Sequence, residues 1–272
     1  MPRLVAAGHE VRALVRRPEA ATAAVACGAD VRRADIYEPE SLRAALDGCE
    51  IGVNLATSLP GPKGREKDFA ANDKLRRLGT PIWVKACQDA AVARILQQSI
   101  ALVSSGIGDE WTDEDTTFAP DGTTAGLAIA ACLAMEAAVR GSALDWLVLR
   151  GGLFYGPGTG YDDAWFAAAR AGQLRLPADG SSYVSLVHIA DMAQATVQAI
   201  SQWPSEQVLI VADDAPALWR DVLGEVAALA GAAPPQPGGR IGLPSCRVRN
   251  RRAREALGWA PFYPSHRIGL AR

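Results

Sequence analysis

Lysine, paired cysteines, histidine and long apolar runs are all scarce in this chain, and each scarcity closes off a class of function. Of 28 basic residues only Lys63, Lys67, Lys74 and Lys85 are lysines, and 30 acidic residues oppose them. So near a balance offers no electrostatic footprint for nucleic acid or an anionic membrane. Cys27, Cys49, Cys87, Cys132 and Cys246 are odd in number and show no C-x-x-C spacing. That pattern fits reduced small apolar side chains better than a disulfide framework or a thiolate metal site. His9, His188 and His266 are dispersed, which argues against a zinc site. No apolar run approaches the ~20 residues that span a bilayer, and no charged leader precedes a hydrophobic segment. The expectation is a cytoplasmic protein, monomer or homodimer, whose partner is a small-molecule substrate, with no nucleic acid and no membrane.

What is present reads as an α/β protein. The chain has 272 residues, 49% of them apolar, enough for one large unit or two lobes. Residues 146–160, WLVLRGGLFYGPGTG, open with an apolar run too short for a helix, as a buried parallel strand does. Five glycines and Pro157 then give a loop able to take backbone angles closed to other residues. Loops at the carboxyl ends of such strands bind ligands in open α/β sheets, although a purely structural turn fits the same composition. Residues 1–8 read as the end of an amphipathic helix capped by Gly8, and residues 11–15 as a strand. Further strands are expected at 27–36, 51–56, 94–103, 185–188 and 207–211. Helices are expected at 39–46, 68–91 with a break near Gly79-Thr80-Pro81, 125–140, 162–173, 189–200, 215–230 and 250–257. Residues 58–64 read as a loop, and 233–239 as a Pro/Gly linker.

Residues 146–160, together with ADIYEPESL, VNLAT, QSIALV, SLVHIADMAQA and NRRAREALGW, resemble the extended and atypical short-chain dehydrogenase/reductases, the NAD-dependent epimerase/dehydratase family. Gly151 stands where that family usually has proline. The resemblance implies a Rossmann-like doubly wound parallel sheet with a small C-terminal substrate lobe. Residues 1–152 would form the dinucleotide-binding core and 153–272 the lobe, with 184–212 returning to the core. It also implies a first strand and glycine-rich turn just before residue 1. Both are missing here, so the core is expected to be N-terminally incomplete, through a start codon placed too far downstream or through degeneration. The implied activity is NAD(P)-dependent oxidoreduction or epimerisation of a small hydroxyl or carbonyl compound, sugar-like ones included. The alternatives are a non-catalytic dinucleotide-binding sensor or scaffold and an inactive truncated product.

By the same resemblance, Asp35 and Ile36 border the adenine, and Asn54, Leu55, Ala56 and Thr57 pass the cofactor ribose. Arg16 and Arg17, with no acid beside them, favour NADP over NAD, which stays possible; a solvated basic loop is the competing reading. Ser99 falls at the family's catalytic serine or threonine, with Ser104 or Ser105 its replacements in another register. The family's tyrosine and, four residues on, lysine share one helix face, where the ammonium lowers the phenol's pKa. No tyrosine here has lysine at that spacing. Ala128 and Cys132 align with the two positions, and Tyr155, at the loop opening, is the phenol nominated as proton donor.

Overall fold

The computed structural model describes residues 1–59, 69–239 and 242–271. The expected loop at 58–64 therefore lies mostly outside the described residues. Strands β3 (Ile51–Asn54), β4 (Arg94–Ile100), β5 (Asp145–Gly151) and β10 (Gln207–Val211) form an all-parallel sheet in the order β10-β5-β4-β3. Alternate side chains feed opposite cores, as period two requires. Ile95, Trp146 and Val148 pack with α3 (Pro39–Leu46), α5 (Thr80–Asp89) and the end of α6 (Thr124–Arg140). Leu96, Leu147, Leu149 and Leu209 pack with α8 (Ile189–Gln202) and α10 (Arg251–Leu257). With both faces covered, β5 is buried from Trp146 to Gly151, hence its unbroken apolar run. The architecture is α/β and Rossmann-like.

The amino-terminal segment folds as expected into α1 (Pro2–Ala6) and β1 (Arg12–Val15), with Gly8 between them at φ +87°. β1 pairs in parallel with β2 (Asp30–Arg33), which follows α2 (Ala21–Ala26). Among the described residues this pair is not hydrogen-bonded to the four-stranded sheet. Its own core is small: Ala13, Ala24 and Ala29.

Among the described residues the helix expected at 68–91 runs unbroken from Ala70 to Asp89. A π-helical turn, Leu75–Gly79, joins α4 (Ala70–Lys74) to α5 at the Gly-Thr-Pro signal. Pro81 follows the π turn directly, and the widened turn accommodates its missing N–H, so the proline does not end the helix.

The loop after β5 contains a strand that sequence reasoning missed, β6 (Leu153–Tyr155), paired in parallel with β9 (Leu186–His188). Gly156, Gly158 and Gly160 then take positive φ, as their composition suggested, and lead into α7 (Tyr161–Arg170). The lobe packs α7 and α9 (Trp219–Leu229) over β7 (Arg175–Pro177) and β8 (Tyr183–Val184) through Phe166, Leu176, Trp219 and Val222. β11 (Ala217–Leu218) pairs antiparallel with β8. The expected linker at 233–239 is corrected: it carries β12 (Gln236–Gly239), which pairs in parallel with β7. Pro237 is admissible there because an edge position spares it a ladder donor. A short helix, α11 (His266–Leu270), ends the fold.

Candidate functional site

Because the strands are parallel, their carboxyl ends share one edge, and the residues expected to meet a cofactor leave from it. Arg16 and Arg17 follow β1 and are exposed. Lys74 Nζ stands 5.1 Å over the Tyr37 ring. Burial and Asp35 raise the Tyr37 phenol, and Arg16 opposes them, so Arg16 and Lys74 flank one phenol. Asp35 shapes the turn here: its N–H donates to Ser41 Oγ at 3.1 Å, and its Oδ1 accepts from the Tyr37 N–H at 3.0 Å. Ile36 packs against the π turn, where a Cβ on Gly79 would come within 3.3 Å of it.

Beside them, β3 ends in a turn held by side-chain amides. Asn54 Nδ2 donates to Gln97 Oε1 at 2.9 Å, and Asn54 Oδ1 accepts from the Ala56 N–H at 3.1 Å. Thr57 Oγ1 and the Ser58 N–H both donate to Asn72 Oδ1, at 3.1 and 2.8 Å. Leu55, Ala56 and Thr57 are left exposed, Leu55 at 48%. In the first turn of α6, whose amino end Thr123 Oγ1 caps by accepting from the Gly126 N–H, Leu127 is 53% exposed. The rim is therefore part apolar.

Ser99 lies against α6, but its hydroxyl is engaged. It is 1% exposed and donates to Glu136 Oε1 at 2.6 Å. Arg150 grips both oxygens of Glu136, at 3.0 and 2.7 Å, and its Nη1 donates to Ser104 Oγ at 2.8 Å and to the Glu114 carbonyl at 3.1 Å. Glu136 and Arg150 escaped sequence reasoning. A lone acid in an alanine-rich helix and a lone base ending an apolar strand could have signalled the pair, since buried charges need partners. Cys132 is also fully buried, and burial pushes its thiol up to about 12 against the pull of Arg76.

Tyr155 requires a correction. The residue expected at a loop opening is fully buried, with its hydroxyl 3.5 Å from the Ser265 carbonyl. Burial first, then Asp213 and Asp191, holds its phenol far above the usual range. His188 Nδ1 accepts from the Ala190 N–H at 3.2 Å and caps α8, while burial lowers its pKa against the pull of Asp191. Asp191 in turn accepts from the Phe262 and Tyr263 N–H groups, both at 2.9 Å. Tyr155 and Asp191 thus meet residues 262–265.

A cavity of about 650 Å³ runs along β5, lined by Trp146, Glu206 and Gln207 near the amino ends of β5 and β10 and by Glu114 and Arg150 of the buried cluster. Among the described residues no group of histidine, cysteine or carboxylate side chains could hold a metal, and no helix is long and apolar enough to cross a membrane.

A parallel sheet covered on both faces, with polar and apolar groups gathered at its carboxyl edge, defines a dinucleotide-binding class, and the chain belongs to the NAD(P)H-binding family, whose model matches residues 1–202. It is 36% identical over 298 aligned residues to a 3-diazoavenalumate denitrifying reductase of a Streptomyces species, covering 99% of this chain and 93% of that one. It is 27% identical to a 4-hydroxy-2-methyl-3-oxo-4-farnesyl-3,4-dihydroquinoline-1-oxide ketoreductase of Stigmatella aurantiaca, covering 81% of this chain and 66% of the relative. The fold is shared with MoeE5 in complex with UDP-glucuronic acid and NAD, at TM-score 0.80, 24% identity and coverage of 99% and 91%. It is shared also with the Thermus thermophilus UDP-glucose 4-epimerase in complex with NAD, at TM-score 0.78, 21% identity and coverage of 98% and 92%. The family and the named relatives together mark an NAD(P)-binding protein of general oxidoreductase type.

Proposed function

We propose that this protein is an NADPH-dependent reductase whose substrate needs no proton from the protein, and that an aryl diazo compound is the substrate class that fits best. The observation that carries this is the withholding of three protons at the carboxyl edge, those of Ser99, Tyr155 and Cys132. The Ser99 proton is held by Glu136, the Tyr155 phenol is buried and raised, and the Cys132 thiol is buried and pushed up to about 12. Ala128, at the aligned tyrosine position, has no proton to give. When bound, the nicotinamide supplies a hydride, which converts an aryl diazonium into arene and N2 with atoms and charge balanced, whereas the same hydride leaves a ketone as an alkoxide that still needs a proton. The denitrifying reductase at 36% identity supports the diazo class.

The chain's residues fit the adenine half of the cofactor. Arg16, Arg17 and Lys74, around the partly buried Tyr37, would hold a 2′-phosphate through charge-assisted hydrogen bonds, and they favour NADP over NAD. Asn54, braced by Gln97, would fix the turn that meets a ribose. Leu55 and Leu127 would keep water from the reacting group.

The purified protein should be given NADPH with, in turn, an aryl diazonium salt, an aryl ketone and UDP-glucose. Faster NADPH consumption than in protein-free controls is expected with the diazonium alone. Turnover of the ketone or the sugar nucleotide without the diazonium would overturn the substrate class. NADPH binding without turnover of any of the three would favour a sensor.

A further inference from the structure

Arg76 is a cation with little to hold it inside the protein. It is half-buried, and the hydrogen bond it makes is one from Nη1 to the Ala128 carbonyl at 3.4 Å, long for a guanidinium. Among the described residues no carboxylate lies within ion-pair distance of it. Asp73, one turn earlier, keeps Oδ1 buried with no hydrogen-bond partner, so Arg76 makes no hydrogen bond to that oxygen. An arginine left half-desolvated and unpaired is costly unless something else satisfies it.

Its placement says what that could be. Arg76 lies on the π turn Leu75–Gly79, and wide turns of this kind interrupt α-helices mostly at functional sites. Four residues before it on the same helix, Asn72 grips the exit of β3 at Thr57 and Ser58. Arg76 itself reaches Ala128 on α6, and its charge acts on Cys132, beside Ser99. Its helix thus joins the exit of β3 to the first turns of α6, the two elements on which Leu55 and Leu127 are exposed. A guanidinium without an ion pair among the described residues, with exposed leucines on the neighbouring elements, is complementary to an aromatic or unsaturated acid, with the carboxylate on the cation and the carbon skeleton on the leucines.

We infer that Arg76 anchors the carboxylate of the substrate, so that this protein acts on small aryl acids. The inference rests on the reductase reading for the site's purpose, but its test does not depend on turnover. Binding of cinnamate and of its neutral amide to the full chain is measured by calorimetry, with and without NADPH. Wild type is expected to favour cinnamate by about 10- to 100-fold, the span that a charge-assisted hydrogen bond supplies. Arg76→Ala should abolish that preference, Arg76→Lys should keep part of it, and both should bind NADPH as wild type does. Thermal melts identify a variant that fails to fold, and Arg76→Gln then replaces it. Equal binding of acid and amide by wild type, or a preference that survives in Arg76→Ala or Arg76→Gln, overturns the anchor. So does a loss of NADPH affinity in these variants, which would assign Arg76 to the cofactor. Failure of wild type to bind NADPH counts against the reductase reading, while the acid preference still decides the anchor.

Discussion

At the scale of single residues, Ser99, Glu136 and Arg150 separate structural from chemical roles. Glu136 and Arg150 are both almost wholly buried, with a contact of 2.7 Å, and removing one leaves the other a desolvated charge. Glu136→Leu should therefore cost about 3–5 kcal/mol in a denaturant titration. Ser99→Ala removes one neutral donor from that pair and should cost only about 1 kcal/mol, with kcat/KM unchanged. A fall in kcat/KM of about 10²-fold would instead restore Ser99 to the reacting centre. Asp213 provides a pH-dependent case. Burial pushes its carboxyl up to about 8, and its Oδ2 has no partner. Its folded-state pKa lies above the unfolded value, so the folded state holds the extra proton in between, and stability falls as pH rises from about 4 to about 8. Asp213→Asn should flatten that fall, raising Tm at pH 8 relative to wild type and changing little at pH 4; parallel Tm curves would contradict it. The sequence offered no sign of this, because the burial of Asp213 depends on tertiary packing. That Arg16 and Arg17 end a strand was legible, since a strand end is a local signal, and the contact of Arg76 with α6 was not, since it joins distant parts of the chain.

At the scale of elements, apolar patterning located nearly every helix and core strand, and the departures have local causes. The proline at 81 signals a helix end, yet in the first turn of α5 it fits, and a π turn takes up the change. The strands β6 and β12 lie in segments rich in glycine and proline, where composition indicates loop and only the partners β9 and β7 make them strands. The turn after β6 is the tightest of these features. Gly156 sits at φ +101°, and a Cβ there would fall 2.5 Å from His188 Nε2. Gly156→Ala should destabilise by about 1–3 kcal/mol through backbone strain and displacement of the imidazole that caps α8. A variant as stable as wild type would show that the turn can relax.

At the scale of the molecule, the β1–β2 pair is, among the described residues, not hydrogen-bonded to the four-stranded sheet; it carries an alanine core and reaches the main one through Leu14, while the main sheet is buried between helices. Two strands alone are marginal, so amides of Arg12–Val15 should exchange with solvent faster than those of β4 and β5. NADPH should slow that exchange if Arg16 and Arg17 hold its 2′-phosphate, and equal protection of both regions would refute the weak pairing. The central claim joins this cofactor edge to a site that gives no proton. It is tested most directly by following the hydrogen that replaces the diazo group of an aryl diazonium substrate, using NADPH deuterated at the transferring position in ordinary water and unlabelled NADPH in heavy water. The account predicts deuterium in the arene in the first case and none in the second. Solvent deuterium at that carbon, or no arene formed while NADPH is bound, would contradict it.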